Sequence, residues 1–116
     1  MNKYLNKEHF NQVMIGEFTS KYANLFDHSE RLSSKAYLFS SGSNIAIIYV
    51  DTIVFLLVNN KIKLNTDGWF TNTSKRWINK GLSMINGGYI SQKNFQWYLN
   101  PAIGEAIAYQ DNMIIQ

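Results

Sequence analysis

The sequence predicts an α+β fold: an antiparallel β-sheet with one or two packed helices. Three observations carry that reading. Apolar residues recur with a helical period near the N-terminus and again after residue 73. Between residues 36 and 64 they fall instead into short β-branched and aromatic runs. Small and turn-forming residues separate those runs. At 116 residues, with 46% apolar and 15% aromatic side chains, the chain is sized for a single domain, 1–116, with a real core.

Phe10, Met14, Phe18, Tyr22 and Phe26 recur every four residues, with Val13 and Leu25 beside them. This stripe predicts a helix over 6–26 that faces the core, or alternatively a partner. Gly16 weakens it by about 1 kcal/mol relative to alanine. Ala36 to Phe39, Asn44 to Val50 and Ile53 to Val58 read as strands, divided by Ser40-Ser41-Gly42-Ser43 and Asp51-Thr52. The run Ile53-Val54-Phe55-Leu56-Leu57-Val58 is apolar on both faces, which predicts a central strand covered on both sides. After Asn59-Asn60, the alternation Lys61-Ile62-Lys63-Leu64 predicts a half-buried strand with its lysines facing water. Thr66-Asp67-Gly68 is a turn.

A second helix is predicted from Ser74 to Ile85, with Trp77, Ile78, Leu82 and Ile85 as its buried stripe. Thr73 is the expected N-cap and Gly87-Gly88 the stop. Phe95, Trp97 and Leu99 alternate with Asn94, Gln96 and Tyr98, a strand pattern that ends at Pro101. Ala106 to Tyr109 and Met113 to Ile115 flank Asp111-Asn112 and suggest a final hairpin. There is no internal repeat and no linker.

Composition narrows the function classes. The chain has no cysteine, which excludes disulfides and thiolate metal sites and fits a reducing compartment. The opening MNKYLNKEHFNQ has no apolar run of the secretory kind. The most apolar stretch, 44–58, is interrupted by Asp51 and falls short of the about 20 residues a membrane-spanning helix needs. A soluble cytoplasmic protein is the expectation. Net charge is +3, unevenly spread: residues 52–104 hold six basic side chains against Asp67 alone. That surplus points to an anionic partner or to a solvated basic face.

His9 and His28 lie far apart in sequence and have no acidic residues at metal-ligand spacing, so neither metal nor cofactor is expected. No phosphate-cradling glycine motif and no nucleophile elbow occurs. Glu8 and His9 are adjacent, and adjacent helical side chains do not face each other. No catalytic residue is assigned.

The richest segment is 64–79, LNTDGWFTNTSKRWIN. Gly68 permits a sharp turn before Trp69. Thr71, Thr73 and Ser74 supply hydroxyls, the helix start supplies free amides, and Lys75 and Arg76 add positive charge. Lys80 lies one turn on. Together these groups would suit a phosphate or carboxylate, with Trp69 or Phe70 as a stacking surface worth about 1–3 kcal/mol per base. The structural alternative is a capped helix with core tryptophans and solvated cations. Lys61 and Lys63 would enlarge the basic face if they lay beside Lys75. The expected binding residues are therefore Lys61, Lys63, Trp69, Thr71, Thr73, Lys75, Arg76 and Lys80.

This segment resembles a pattern in small proteins of phages and mobile elements, L-N-x-x-G-W-x-T-x-T-[ST]-[KR]-R-x-I-N after an apolar strand. Ser43-Asn44-Ile45-Ala46, Leu64-Asn65, Gly68-Trp69, Thr71, Thr73-Ser74, Lys75-Arg76 and Ile78-Asn79 carry the resemblance, over about residues 40–85. Ser74 stands where threonine is usual. Some small phage proteins of this size and build are anti-CRISPR inhibitors. The resemblance implies a non-enzymatic protein of the infected host's cytoplasm that binds a Cas protein or CRISPR effector complex, through the protein, its guide RNA or its DNA path. Other functions compatible with the sequence are a nucleic-acid-binding regulatory module, a structural protein that forms a homodimer, and an enzyme whose site is assembled from distant residues.

Overall fold

The computed structural model describes residues 25–115. Its core is a six-stranded antiparallel sheet. Strands β1 (His28–Ser33), β2 (Ala36–Ser41), β3 (Asn44–Tyr49), β4 (Thr52–Val58) and β5 (Lys61–Leu64) follow one another as a meander, and β9 (Met113–Ile115) pairs with β5. A three-stranded sheet holds β6 (Tyr89–Lys93), β7 (Gln96–Asn100) and β8 (Ile107–Ala108). Among the described residues one α-helix, α1 (Asn72–Met84), lies between them in sequence. The α+β class, with antiparallel sheets and a packed helix, is the one the sequence predicts.

Strand alternation builds two cores. On β2 and β3, Ala36, Leu38, Ile45 and Ile47 point to the face that carries α1 and the small sheet. Tyr37, Phe39, Ala46 and Ile48 point the other way and pack with Leu56 and Phe26. Interior strand β4 serves both sides, with Phe55 in the first core and Leu56 in the second. It is the doubly covered central strand expected of its apolar run. Ile47 pairs with Phe55 but Ile48 pairs with Ile53, so Val54 is an extra residue, a β-bulge. Asn59 and Asn60 both have positive φ (55° and 64°), the signature of the tight type I′ hairpin joining β4 to β5.

The helix buries Ser74, Trp77, Ile78, Gly81 and Leu82 against the first core, and Ile85 is half-buried. Each large apolar side chain so removed from water contributes roughly 1.5–3 kcal/mol. Gly81 is where the helix comes nearest to the sheet: a Cβ there would overlap the Phe55 ring. Asn79 faces the small sheet. Its Oδ1 accepts from the Ile90 N–H at 2.6 Å and its Nδ2 donates to the Ile90 carbonyl at 3.2 Å. One side chain thus satisfies both outward backbone groups of Ile90 on edge strand β6.

Several expectations are corrected. The helix begins at Asn72 rather than Ser74, and its N-cap is Thr71, not Thr73: the Ser74 N–H donates to Thr71 Oγ1 at 3.1 Å. Thr71 is extended at the cap (φ −107°, ψ 161°), whereas Thr73 already lies inside the first turn. The stop is a Schellman arrangement with Asn86, φ 54°, in the left-handed position, and the Gly87 N–H bonds to the Leu82 carbonyl at 2.9 Å. Phe95 is not a strand residue. It forms, with Asn94, the two-residue turn between β6 and β7, at φ 67° and 97% exposed. The residues flanking Asp111-Asn112 do not form a hairpin: β8 pairs with β7 and β9 with β5, in different sheets. Strands β1 and β6 have no counterpart in the sequence reading.

The helix predicted over 6–26, with Phe10, Met14, Phe18 and Tyr22, lies outside the described residues except at its end. There Phe26 is not helical and is buried against Phe39, with ring centroids 6.3 Å apart.

Candidate functional site at the turn before the helix

The segment joining β5 to α1 is held by a single carboxylate from far along the chain. Asp111 Oδ1 accepts from the Thr66 N–H at 2.8 Å, the Thr66 hydroxyl at 2.9 Å and the Tyr109 hydroxyl at 2.7 Å. Its Oδ2 accepts from the Thr66 hydroxyl at 2.8 Å and the Gly68 N–H at 3.0 Å. Burial works against the Asp111 charge, yet the bonds from Tyr109, Thr66 and Gly68 outweigh it and hold the pKa below the usual carboxylate value. Burial, and then the bond and charge of Asp111, push the Tyr109 phenol well above its usual value. With both oxygens occupied by donors, Asp111 is a brace rather than a general base.

Within the braced segment, Asp67 and Gly68 have φ of 55° and 84°, and the Trp69 N–H bonds to the Thr66 carbonyl at 3.1 Å. This is a type I′ turn, the geometry an Asp-Gly pair favours. It throws the next two aromatic residues in different directions. Phe70 stacks edge-on against Trp97 (5.0 Å, 73°) and Tyr109 (5.9 Å, 85°), joining the small sheet's aromatic cluster. Trp69 stays 68% exposed.

Trp69 borders a groove of about 420 Å³. Its other walls are the β3–β4 turn (Tyr49 to Thr52), Val54 at the bulge, Thr66 and Asp67, and Thr71 and Ser74 at the helix start. That size falls within the range of small-ligand and side-chain pockets.

The predicted binding residues are divided among different surroundings. Trp69 and Thr71 line the groove, and Thr71 is also the cap. Thr73 is exposed and lies outside the lining. Lys75 reaches toward the small sheet, its ammonium 6.0 Å from the Trp97 ring centre and 3.4 Å from Gln92 Oε1. Arg76 lies along the helix with its guanidinium 5.1 Å from the Trp77 ring centre. Neither Lys75 nor Arg76 lines the groove; its charged residues are Asp51 and Asp67. Lys80 is exposed farther along α1.

Lys61 and Lys63 pair with Val58 and Leu56, whose side chains belong to the opposite side of the sheet from α1. They do not extend a basic face beside Lys75. The sequence reading missed Asp51, Asp67 and the Asp111 brace. An Asp-Gly turn before an exposed aromatic was the local signal for the groove; the brace, 45 residues from Thr66, had none.

Among the described residues no group of three or more His, Asp or Glu side chains is placed to hold a metal ion. No described helix is long and apolar enough to cross a membrane. The chain matches no protein-family model, no curated protein and no solved structure.

Proposed function

We propose that this protein acts by binding, as a small phage-type inhibitor of a host nucleic-acid-targeting defence complex such as a CRISPR effector. The observation that carries the binding reading is Trp69: a tryptophan 68% exposed, at the lip of a groove, on a turn that Asp111 holds through the Thr66 N–H, the Thr66 hydroxyl and the Gly68 N–H. Large exposed aromatics on rigid supports supply contact area at low entropic cost and are typical interface anchors. The resemblance of residues 40–85 to small phage proteins supports the class of partner. Arg76 and Lys80 are exposed cations on α1, the helix that starts at the groove.

The test is co-elution with a panel of purified CRISPR effector complexes, before and after nuclease treatment, together with an assay of target cleavage. The expected result is nuclease-resistant co-elution with at least one complex and loss of its cleavage. Retention that disappears with the nucleic acid would replace this reading with a nucleic-acid-binding module. Unimpaired cleavage by every complex would overturn it.

A further inference from the structure

The groove has a chemistry of its own, opposite in sign to the chain's basic surplus. Its charged lining is Asp51 and Asp67. Both are exposed, and both sit in tight turns. Thr52 adds a half-buried hydroxyl, while the Thr66, Thr71 and Ser74 hydroxyls are engaged in the brace and the helix cap, and Trp69 and Val50 contribute exposed apolar surface (68% and 46%). Among the described residues, a phosphate entering here would meet two carboxylates and no cation. A wholly apolar side chain would leave those carboxylates uncompensated.

We propose that this groove is a docking site for an arginine side chain of a partner protein. A guanidinium matches the aromatic and the acidic walls. Its flat, weakly hydrated face stacks on the Trp69 indole, its charge is complementary to Asp51 and Asp67, and its donors suit carboxylate acceptors. About 420 Å³ accommodates one such side chain with its flanking backbone. The positions of the walls are set independently of any occupant. The Asp111 brace holds Thr66 and Gly68 on either side of Asp67, and the Val50 N–H bonds to the Lys35 carbonyl at 2.9 Å, holding the β3–β4 turn.

This inference rests on the reading of the protein as a binder, and it names the chemistry that the groove recognises. Its first test is made on the purified protein alone. Trp77 and Trp97 are 7% and 3% exposed, so a change in exposed-tryptophan fluorescence reports Trp69. The purified protein is titrated with the capped tripeptide Gly-Arg-Gly, with Gly-Glu-Gly and Gly-Leu-Gly as controls, and with a thymidine dinucleotide carrying a 5′-phosphate.

The arginine peptide should perturb Trp69 at millimolar or lower concentration, at least tenfold below any other probe. The double variant Asp51→Asn, Asp67→Asn should weaken it at least tenfold, with the far-UV spectrum unchanged, and Trp69→Ala should remove the shifts of the Thr66 and Asp67 amides seen by NMR. Tighter binding of the dinucleotide, or undiminished arginine binding in the double variant, would overturn the proposal. Arginine binding without effector inhibition leaves the groove standing and removes the proposed inhibitor role. Effector inhibition undisturbed by a double variant that has lost arginine binding leaves the inhibitor role standing and overturns the groove as its docking site.

Discussion

At the residue scale the decisive side chain is Asp111, because one carboxylate organises the turn, the anchor and the groove wall. Its folded pKa is lowered, so its contribution to stability is complete above the unfolded value of about 3.9 and drains away as pH falls through the lower folded value. Thermal unfolding followed from pH 7 to pH 2 should show an acid loss that is smaller in Asp111→Asn. At neutral pH that variant should be less stable by about 1.5–3 kcal/mol, because donors that met a charge now compete for one amide oxygen. Tyr109 has the opposite sign. Its folded pKa is raised, so its contribution is present below the unfolded value of about 10 and is lost as pH rises through the folded one. Tyr109→Phe should therefore flatten the stability curve above about pH 10. None of this was legible beforehand. Asp111 reads locally as a turn residue, and its partner Thr66 lies 45 positions away. The Asp67-Gly68 turn, by contrast, was legible, since it depends only on neighbouring residues.

At the scale of elements, α1 makes two predictions in which the local preference and the tertiary environment can be told apart. Thr71→Ala should cost about 1 kcal/mol by chemical denaturation, whereas Thr73→Ala should lie within about 0.5 kcal/mol of wild type, because only Thr71 caps an amide. Gly81→Ala should destabilise by about 1–3 kcal/mol, although alanine is the better helix former by about 1 kcal/mol. The added methyl would meet the Phe55 ring, and β4 is an interior strand that has no room to retreat. Stabilisation by Gly81→Ala would mean that helix and sheet do not pack this closely.

These elements also show what the sequence could and could not disclose. Strands β2 to β4 were legible from their apolar runs and β5 from its basic/apolar alternation, with turn residues between them. Strand β1, HSERLS, is polar because it is a sheet edge with little to bury, so periodicity does not mark it. The tail was misread for a different reason. β8 and β9 flank a turn as a hairpin would, but each finds its partner in a distant strand, and pairing of that kind leaves no trace in local spacing.

At the scale of the whole molecule, the uneven charge divides in space as well as along the chain. Lys61 and Lys63 share a face with Leu56 and Val58, while Arg76 and Lys80 ride on the helix that covers the other face. A partner that docks on the Trp69 groove and extends along α1 would meet Arg76 and Lys80, and the sheet would separate it from Lys61 and Lys63. The double variants Arg76→Glu, Lys80→Glu and Lys61→Glu, Lys63→Glu change net charge by the same amount, so any difference between them reports geometry rather than long-range attraction. Binding to the effector complex that co-elutes with wild type should weaken at least tenfold in the first variant, about 1.4 kcal/mol. In the second it should change less than about twofold at 0.15 M salt, where exposed charges are screened beyond about 8 Å. Equal losses in both would mean that the partner responds to net charge or wraps both faces, and the helix-start groove would no longer define the contact surface. A loss confined to Lys61 and Lys63 would move that surface to the opposite side of the sheet, leaving the Trp69 groove to be judged by its arginine binding alone.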